Sequence, residues 1–428
     1  MKTLFIYLLT FFVGVEEDLT KKISSKAESI EPKVIEWRRD IHQNPELGNR
    51  EFRTAEKVAN HLKSLGLEVQ TGVAHTGVVG VLRGGLPGKV VALRADMDAL
   101  PVVERTDIPF ASKVSTVYND REVGVMHACG HDTHTAILMG VAEVLSSMKE
   151  EIPGTVKFIF QPAEEGPPEG EEGGASMMVA EGVLSNPDVS AIFGLHISAL
   201  TPVGQITYKP KGAQASADNW KLTITGKQTH GSTPWTGVDP IYIASQIINQ
   251  YQGIISRELN LTNEAAVISV GSIDGGVRSN IIPERVEMTG TIRALDKEMR
   301  AKIHSRMRAI AEGMAEIHGA KAELEIDEVA PIVFNDPDLT TQMVPSLKKV
   351  AGEANVSQIK AVTPAEDFAY YQDNVPGLYF GLGGMTKGVD PGTVAFHHTP
   401  DFYIDESGLI LGVKALSILA VDYLSQAK

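Results

Sequence analysis

Apolar residues recur at helical spacing through Phe52, Ala55, Val58, Ala59, Leu62 and Leu65, and the pattern stops at Gly66. That spacing predicts an amphipathic helix with a glycine just past its end. Strand-like runs follow at Val78–Leu82 and Val90–Ala95, and Thr133–Met148 is mostly apolar, as a buried helix is. Thr155–Gln161 and Val189–Leu195 read as further strands, the first running into Pro162-Ala-Glu-Glu-Gly166 and the second ending at His196. Strands alternating with helices predict an α/β sheet with helices packed on its faces. The polar clusters fall at strand ends, where open sheets of this kind bind ligands.

A second module interrupts the first. Asn219–Gly226 alternates like a strand, and Asp239-Pro240 supplies an N-cap and first helical residue for a helix to about Leu259 with Ile243, Ile247, Ile248, Tyr251 and Ile255 inward. Ala265–Ser272 and Ile281–Leu295 are strands, Asp296 caps a helix ending at Gly319, and Lys321–Val329 is a last strand. The order β-α-β-β-α-β is the ferredoxin-like pattern. Asp336-Pro337 then starts a helix, Gly377–Gly383 is extended, and Asp405-Glu-Ser-Gly opens the final helix. The chain thus divides into an α/β domain over 16–214 and 332–428, with an inserted α+β domain over 215–331.

At 428 residues the chain is long enough for both. With 39 basic against 54 acidic residues it carries a formal charge of -15, which argues against nucleic acid or an anionic membrane as partner. Apolar residues 4–15 follow a single Lys2 and resemble an export signal over residues 1–15, too short to span a bilayer and without a small-residue cleavage site. We read periplasmic or secreted export from it; the rival reading is an uncleaved apolar start or an interfacial anchor, and a cytoplasmic location is the alternative.

The chain's one cysteine lies in Gly124-Val-Met-His-Ala-Cys-Gly-His-Asp-Thr-His-Thr135, between His127 and His131. A thiolate at Cys129 and an imidazole at His131 can reach one metal from a tight turn, and such a donor pair suits zinc and related divalent ions. Glu164 and Glu165 end a strand, so alternation points their carboxylates in opposite directions, one toward metal and one toward water. Gly194-Leu-His196 adds an imidazole at another strand end, and Phe396-His-His-Thr-Pro400 adds two more. A set of Cys, His, Glu, His and His can hold two metals and leave positions open for substrate.

Together these segments resemble the aminoacylase, carboxypeptidase and hippurate-hydrolase group of two-metal hydrolases, in particular the amidohydrolase branch that includes plant auxin–amino-acid conjugate hydrolases. The matching motifs are Arg94-Ala-Asp-Met-Asp-Ala-Leu-Pro101, Met126–Ala136, Gln161-Pro-Ala-Glu-Glu-Gly166 and Gly194-Leu-His196. Gly226-Lys-Gln-Thr-His230, Arg278-Ser-Asn-Ile-Ile-Pro283, Gly290-Thr-Ile-Arg293, Ala365-Glu-Asp-Phe368 and His398-Thr-Pro400 complete the series in order. The resemblance implies a zinc-peptidase-like catalytic domain with an inserted ferredoxin-like lid and dimerisation domain. It implies that Cys129, His131, Glu165, His196 and His398 are the metal ligands, His398 being preferred to His397 because the family's ligand sits two residues before the proline. Glu164 matches the general base and acid, and Asp98 a residue supporting a ligand. His230 matches a lid histidine that, in dimeric relatives, reaches the neighbouring subunit's site, and Asn280 and Arg293 match lid groups that hold substrate. Two divalent ions per subunit follow, zinc or manganese, with cobalt or nickel as further candidates. The family often has Gly-Gly before the lid histidine and His after the following proline; here Gln228-Thr229 and Trp235 stand there, and Ile197-Ser198-Ala199 replaces an aromatic-proline pair after His196.

The expected reaction is hydrolysis of the amide bond of an N-acyl amino acid or short peptide with a free carboxylate, by a homodimer joined through the lid. The alternatives are a two-metal aminopeptidase or dipeptidase that needs a free N-terminal amine, and a metal-retaining binding protein without turnover. Glu164 has no purpose in the last.

Overall fold

The computed structural model describes residues 19–426, and the apolar run assigned to export lies outside them. The chain forms two compact units. The larger takes in the chain up to Pro210, Asn335–Ile359 and the chain from Tyr370; the second comprises Lys211–Phe334 and Lys360–Ala369.

The larger unit is built on an eight-stranded sheet. Its spatial order is Glu68–Val73, Gly77–Arg83, Pro153–Gln161, Leu86–Asp96, Ala191–Pro202, Gly377–Met385, Ile206–Tyr208 and Val356–Gln358. The strands from Pro153–Gln161 to Gly377–Met385 in that order pair in parallel. They are buried along most of their length, as central parallel strands covered on both faces must be. Phe158, Phe160, Phe193 and Phe380 fill the interior. The helices His131–Ser146 and Leu409–Ser425 pack on one another, and both contact the strand Leu86–Asp96.

The predicted helix at Phe52 runs over Phe52–Ser64, with Gly66 in the left-handed region at φ 79°. Residues 19–29 and Glu31–Gln43 add helices beyond those the apolar pattern predicts. The buried face of the second is Val34, Arg38, Ile41 and His42, so hydrophobic periodicity is blind to half of it. The helix expected from Thr133 begins at His131, and the strand expected to end at His196 continues through it to Pro202. The strand before Glu164 stops at Gln161, because Pro162 has no N–H to give the ladder.

In the second unit the antiparallel sheet has the order Ala266–Asp274, Arg285–Ala294, Ala217–Thr225 and Lys321–Ala330. In chain order that is 2-3-1-4, the ferredoxin-like arrangement. Helices Pro240–Gly253 and Lys297–Ile317 close its core with Ile243, Ile247, Tyr251, Ile303 and Met307. Asp239 accepts from Ile241 N and Tyr242 N, and Asp296 from Met299 N, so both capping aspartates act as their positions suggest. The strand expected over Ile281–Leu295 is split into Ile281–Ile282 and Arg285–Ala294 around Pro283.

Candidate metal centre

Gly130 makes the turn that delivers Cys129 and His131. It sits at φ 103°, and a Cβ there would lie 2.3 Å from Ile197 Cγ2, so only glycine fits. The helix His131–Ser146 starts directly after it, with His131 fully buried in its first turn. His131 Nδ1–H donates to the Asp98 carbonyl at 2.9 Å and to Asp98 Oδ1 at 3.1 Å. That fixes the ring and turns Nε2 the other way, where it is buried with no hydrogen-bond partner. Glu164 Oε2 lies 3.6 Å from this nitrogen and Glu165 Oε1 3.9 Å from it.

The two glutamates therefore do not point apart as strand alternation would have them. They ride on a turn in which Ala163 has the left-handed value φ 50°, and both carboxylates come near the same imidazole. A strand keeps a period of two only while its ladder lasts, and this one ends before Pro162. Asp98 also reaches the turn, its Oδ2 accepting from Glu165 N at 2.9 Å. One carboxylate thus orients His131 and holds Glu165.

Hydrogen bonds sort the remaining histidines. His134 Nδ1–H donates to Asp96 Oδ1 at 2.6 Å and its Nε2 accepts from Ile197 N at 2.8 Å, so neither nitrogen is left to bind a cation. His397 is spent in the same way, donating from Nδ1 to the Cys129 carbonyl at 3.1 Å and accepting at Nε2 from Ala199 N at 3.2 Å. His196 donates from Nδ1 to the Ile197 carbonyl at 2.6 Å, which leaves Nε2 facing Cys129 Sγ at 3.4 Å. His398 Nε2 lies 3.4 Å from the same sulfur and 3.0 Å from Glu165 Oε1. His398 adopts φ 63°, and its N–H donates to the Ala128 carbonyl at 2.8 Å. A left-handed non-glycine costs about 1 kcal/mol, so the loop is held where relaxed backbone would not put it.

Cys129, His131, Glu165, His196 and His398 are thus brought together, with Glu164 beside them and Asp98 behind. Zinc bonds of about 2.0–2.3 Å at tetrahedral angles put donor atoms about 3.5 Å apart. The 3.4 Å separations from Cys129 Sγ to His196 and His398 match that spacing. The donor chemistry and the orphaned His131 nitrogen both fit a divalent ion.

The electrostatics agree. Burial opposes a charge on His131, yet Asp96 and Asp98 outweigh it and push the group up to about 10. A field that holds a proton so tightly favours a cation in its place. Burial and the carboxylates of Glu165 and Glu164 push the Cys129 thiol well above its ordinary value, so sulfur ligates only when a cation displaces its proton. Burial lowers His196 well below its ordinary value, and a neutral imidazole is the form that binds metal.

Asp96 and His42 carry no signal of a role in the sequence. Asp96 is fully buried between His134 and Arg94, whose Nη1 donates to it at 2.6 Å. Asp132 forms a buried ion pair with Arg38, whose Nε lies 2.7 Å from it, and accepts from His42 Nδ1 at 2.9 Å, tying the first turn of the ligand-bearing helix to Glu31–Gln43. Alternating apolar positions cannot signal such contacts. His230, Asn280 and Arg293 all belong to the second unit. His230 is exposed on the short ribbon Thr229–His230/Ile281–Ile282, its Nδ1 accepting from Ser232 N at 3.0 Å. Asn280 lies beside that ribbon, its carbonyl accepting from Gly231 N at 2.9 Å, and Arg293 Nη1 donates to the Ile292 carbonyl at 2.9 Å.

The model of Peptidase family M20/M25/M40 matches residues 92–422. The chain is 41% identical over 408 residues to thermostable carboxypeptidase 2 of Saccharolobus solfataricus, covering 95% of this chain and 99% of that one. It is 38% identical over 399 residues to an N-acetylcysteine deacetylase of Bacillus subtilis, covering 92% of this chain and 98% of that one. Among solved structures, a dinuclear metal-binding peptidase of Bacillus subtilis matches with a TM-score of 0.76 at 35% identity, over 94% of this chain and all of that one.

Proposed function

The chain belongs to Peptidase family M20/M25/M40 and is a metal-dependent hydrolase of amide bonds, and from that premise we propose that it cleaves N-acyl amino acids or short acylated peptides bearing a free carboxylate. The observation that carries the reading is the sorting of the histidines. His131, His196 and His398 each aim a ring nitrogen at the cluster shared with Cys129 and Glu165, while His134 and His397 have both nitrogens engaged. The resemblance to an N-acetylcysteine deacetylase supports an acylated substrate.

In this reading Cys129, His131, Glu165, His196 and His398 hold two divalent ions. The chemistry that such a pair supplies is polarisation of the scissile carbonyl and a lower pKa for water. Glu164, whose Oε2 lies 3.6 Å from His131 Nε2, is assigned to take the water's proton and return it to the departing amine. Asp98 keeps the His131 ring and the Glu165 backbone in register. Asn280 and Arg293 are assigned to holding the substrate.

The test is a comparison of N-acetyl amino acids with dipeptides of the same residues carrying a free amine. Hydrolysis of the acylated set at least tenfold faster is the expected result. The reverse order would establish an aminopeptidase or dipeptidase using the same residues.

The same reading makes the protein a homodimer in which His230 serves the partner subunit's reaction. His230→Ala and Glu164→Gln proteins, each inactive alone, should regain part of the activity when their subunits are exchanged. No recovery after confirmed exchange would remove His230 from any role across an interface.

A further inference from the structure

The turn that carries Glu164 and Glu165 is braced from a distant stretch of sequence, Glu46–Glu51. Glu51 is completely buried, and as the residue preceding the helix Phe52–Ser64 it stands where an acidic side chain would ordinarily cap the helix. It does not. The cap is supplied by Glu46, whose carboxylate accepts from Arg53 N at 2.9 Å and Thr54 N at 2.8 Å. The Glu51 carboxyl turns away, with Oε1 accepting from Ala163 N at 2.8 Å and Oε2 from Thr76 Oγ1 at 2.5 Å.

Ala163 is the left-handed residue immediately before the two glutamates. Alanine in that conformation relaxes toward the right-handed or extended regions unless it is held, and either change would swing the following side chains away from His131. The packing is close on the same side. A Cβ at Gly48 would lie 2.9 Å from the Gly166 carbonyl oxygen and 3.1 Å from Ala163 Cβ, so the backbone of this stretch rests against the turn. Further along, Asn49 Nδ2 donates to the Glu172 carbonyl at 2.9 Å, so the loop after the glutamates is pinned to the same stretch.

We propose that Glu51 is a positioning residue for the reaction: through Ala163 N it fixes the turn that sets Glu164 as proton acceptor and Glu165 as ligand. This rests on the roles given to those two glutamates above. Burial and the neighbouring Asp98 push Glu51 up to about 8. A glutamine keeps the acceptor that matters, its oxygen taking the hydrogen bond from Ala163 N, while the Thr76 hydroxyl, which now donates to Glu51, rotates to accept from the amide.

The test compares Glu51→Gln, Glu51→Ala and Thr76→Val in the full chain. Glu51→Ala should lower kcat about ten- to a hundredfold with KM within about twofold, and should lose metal to a competing chelator at about tenfold lower chelator concentration. Glu51→Gln should stay within about threefold of wild type in both. Thr76→Val keeps the side-chain shape and should lower kcat about threefold, which keeps the question answerable if Glu51→Ala does not fold. Ile418→Val, a buried change in the final helix, supplies a destabilised control whose kcat and metal retention should not move. Wild-type kcat and metal retention in Glu51→Ala, or in Thr76→Val should the former not fold, would overturn the proposal. So would equal losses in the Gln and Ala variants. Glu164→Gln is assayed in parallel. If it stays active, the reading of Glu164 fails, whereas a dead Glu164→Gln beside an unaffected Glu51→Ala sinks only the role of Glu51.

Discussion

Glu164→Gln is expected to lose about a thousandfold or more in kcat while keeping a wild-type metal content. The amide has nearly the same shape but cannot accept a proton, and general acid–base catalysis by a positioned group contributes roughly 10²–10⁴-fold. Metal content should hold because Glu164 Oε2 stands 3.6 Å from His131 Nε2, beside the donor set, while Cys129, His196, His398 and Glu165 pack among themselves at 3.0 to 3.4 Å. Steady-state kinetics with elemental analysis of the same sample checks both halves. Retention of a tenth of the activity would show that another group takes the proton.

Cys129→Ala should give the opposite signature, in which metal goes first and activity follows. The chain has a single cysteine, so no second thiolate can replace it. Its sulfur lies at the crossing of the two histidine contacts, 3.4 Å from His196 Nε2 and 3.4 Å from His398 Nε2. Removing it should release at least one ion per chain on dialysis and lower activity a hundredfold or more. A cysteine that served only as buried packing would cost about 1 kcal/mol of stability and no metal. Elemental analysis of the dialysed variant separates these, and full occupancy would take Cys129 out of the centre.

Much of this arrangement is legible in the sequence because its chemistry is local. Cys129 and His131 flank a glycine that no other residue can replace, and His196 lies in a strand whose apolar run is unmistakable. The ferredoxin-like unit reads easily for the same reason, since Asp239 and Asp296 cap its helices, although the strand expected over Ile281–Leu295 breaks at Pro283. What local pattern misses is contact between segments far apart in the chain. The direction of Glu164 and Glu165 depends on a left-handed alanine held by a carboxylate 112 residues away, and strand alternation extrapolated past Pro162 gives the wrong answer. The distinction between His397 and His398 lies in which backbone groups each meets, Cys129 and Ala199 for one and Ala128 for the other. Glu31–Gln43 escapes the apolar pattern because Arg38 and His42 occupy its buried face to meet Asp132. Buried polar networks carry no periodic signature.

The central claim is that one cluster of five donors holds a metal pair on which amide hydrolysis depends. The most direct measurement is a titration of chelator-stripped protein with zinc, manganese or cobalt while the hydrolysis of an N-acetyl amino acid is followed. The account predicts no turnover by the stripped protein and activity that rises to a plateau at two equivalents per chain, as a dinuclear centre requires. Full activity in the stripped protein, or metal binding at two equivalents without any hydrolysis of acylated or free-amine substrates, would contradict it.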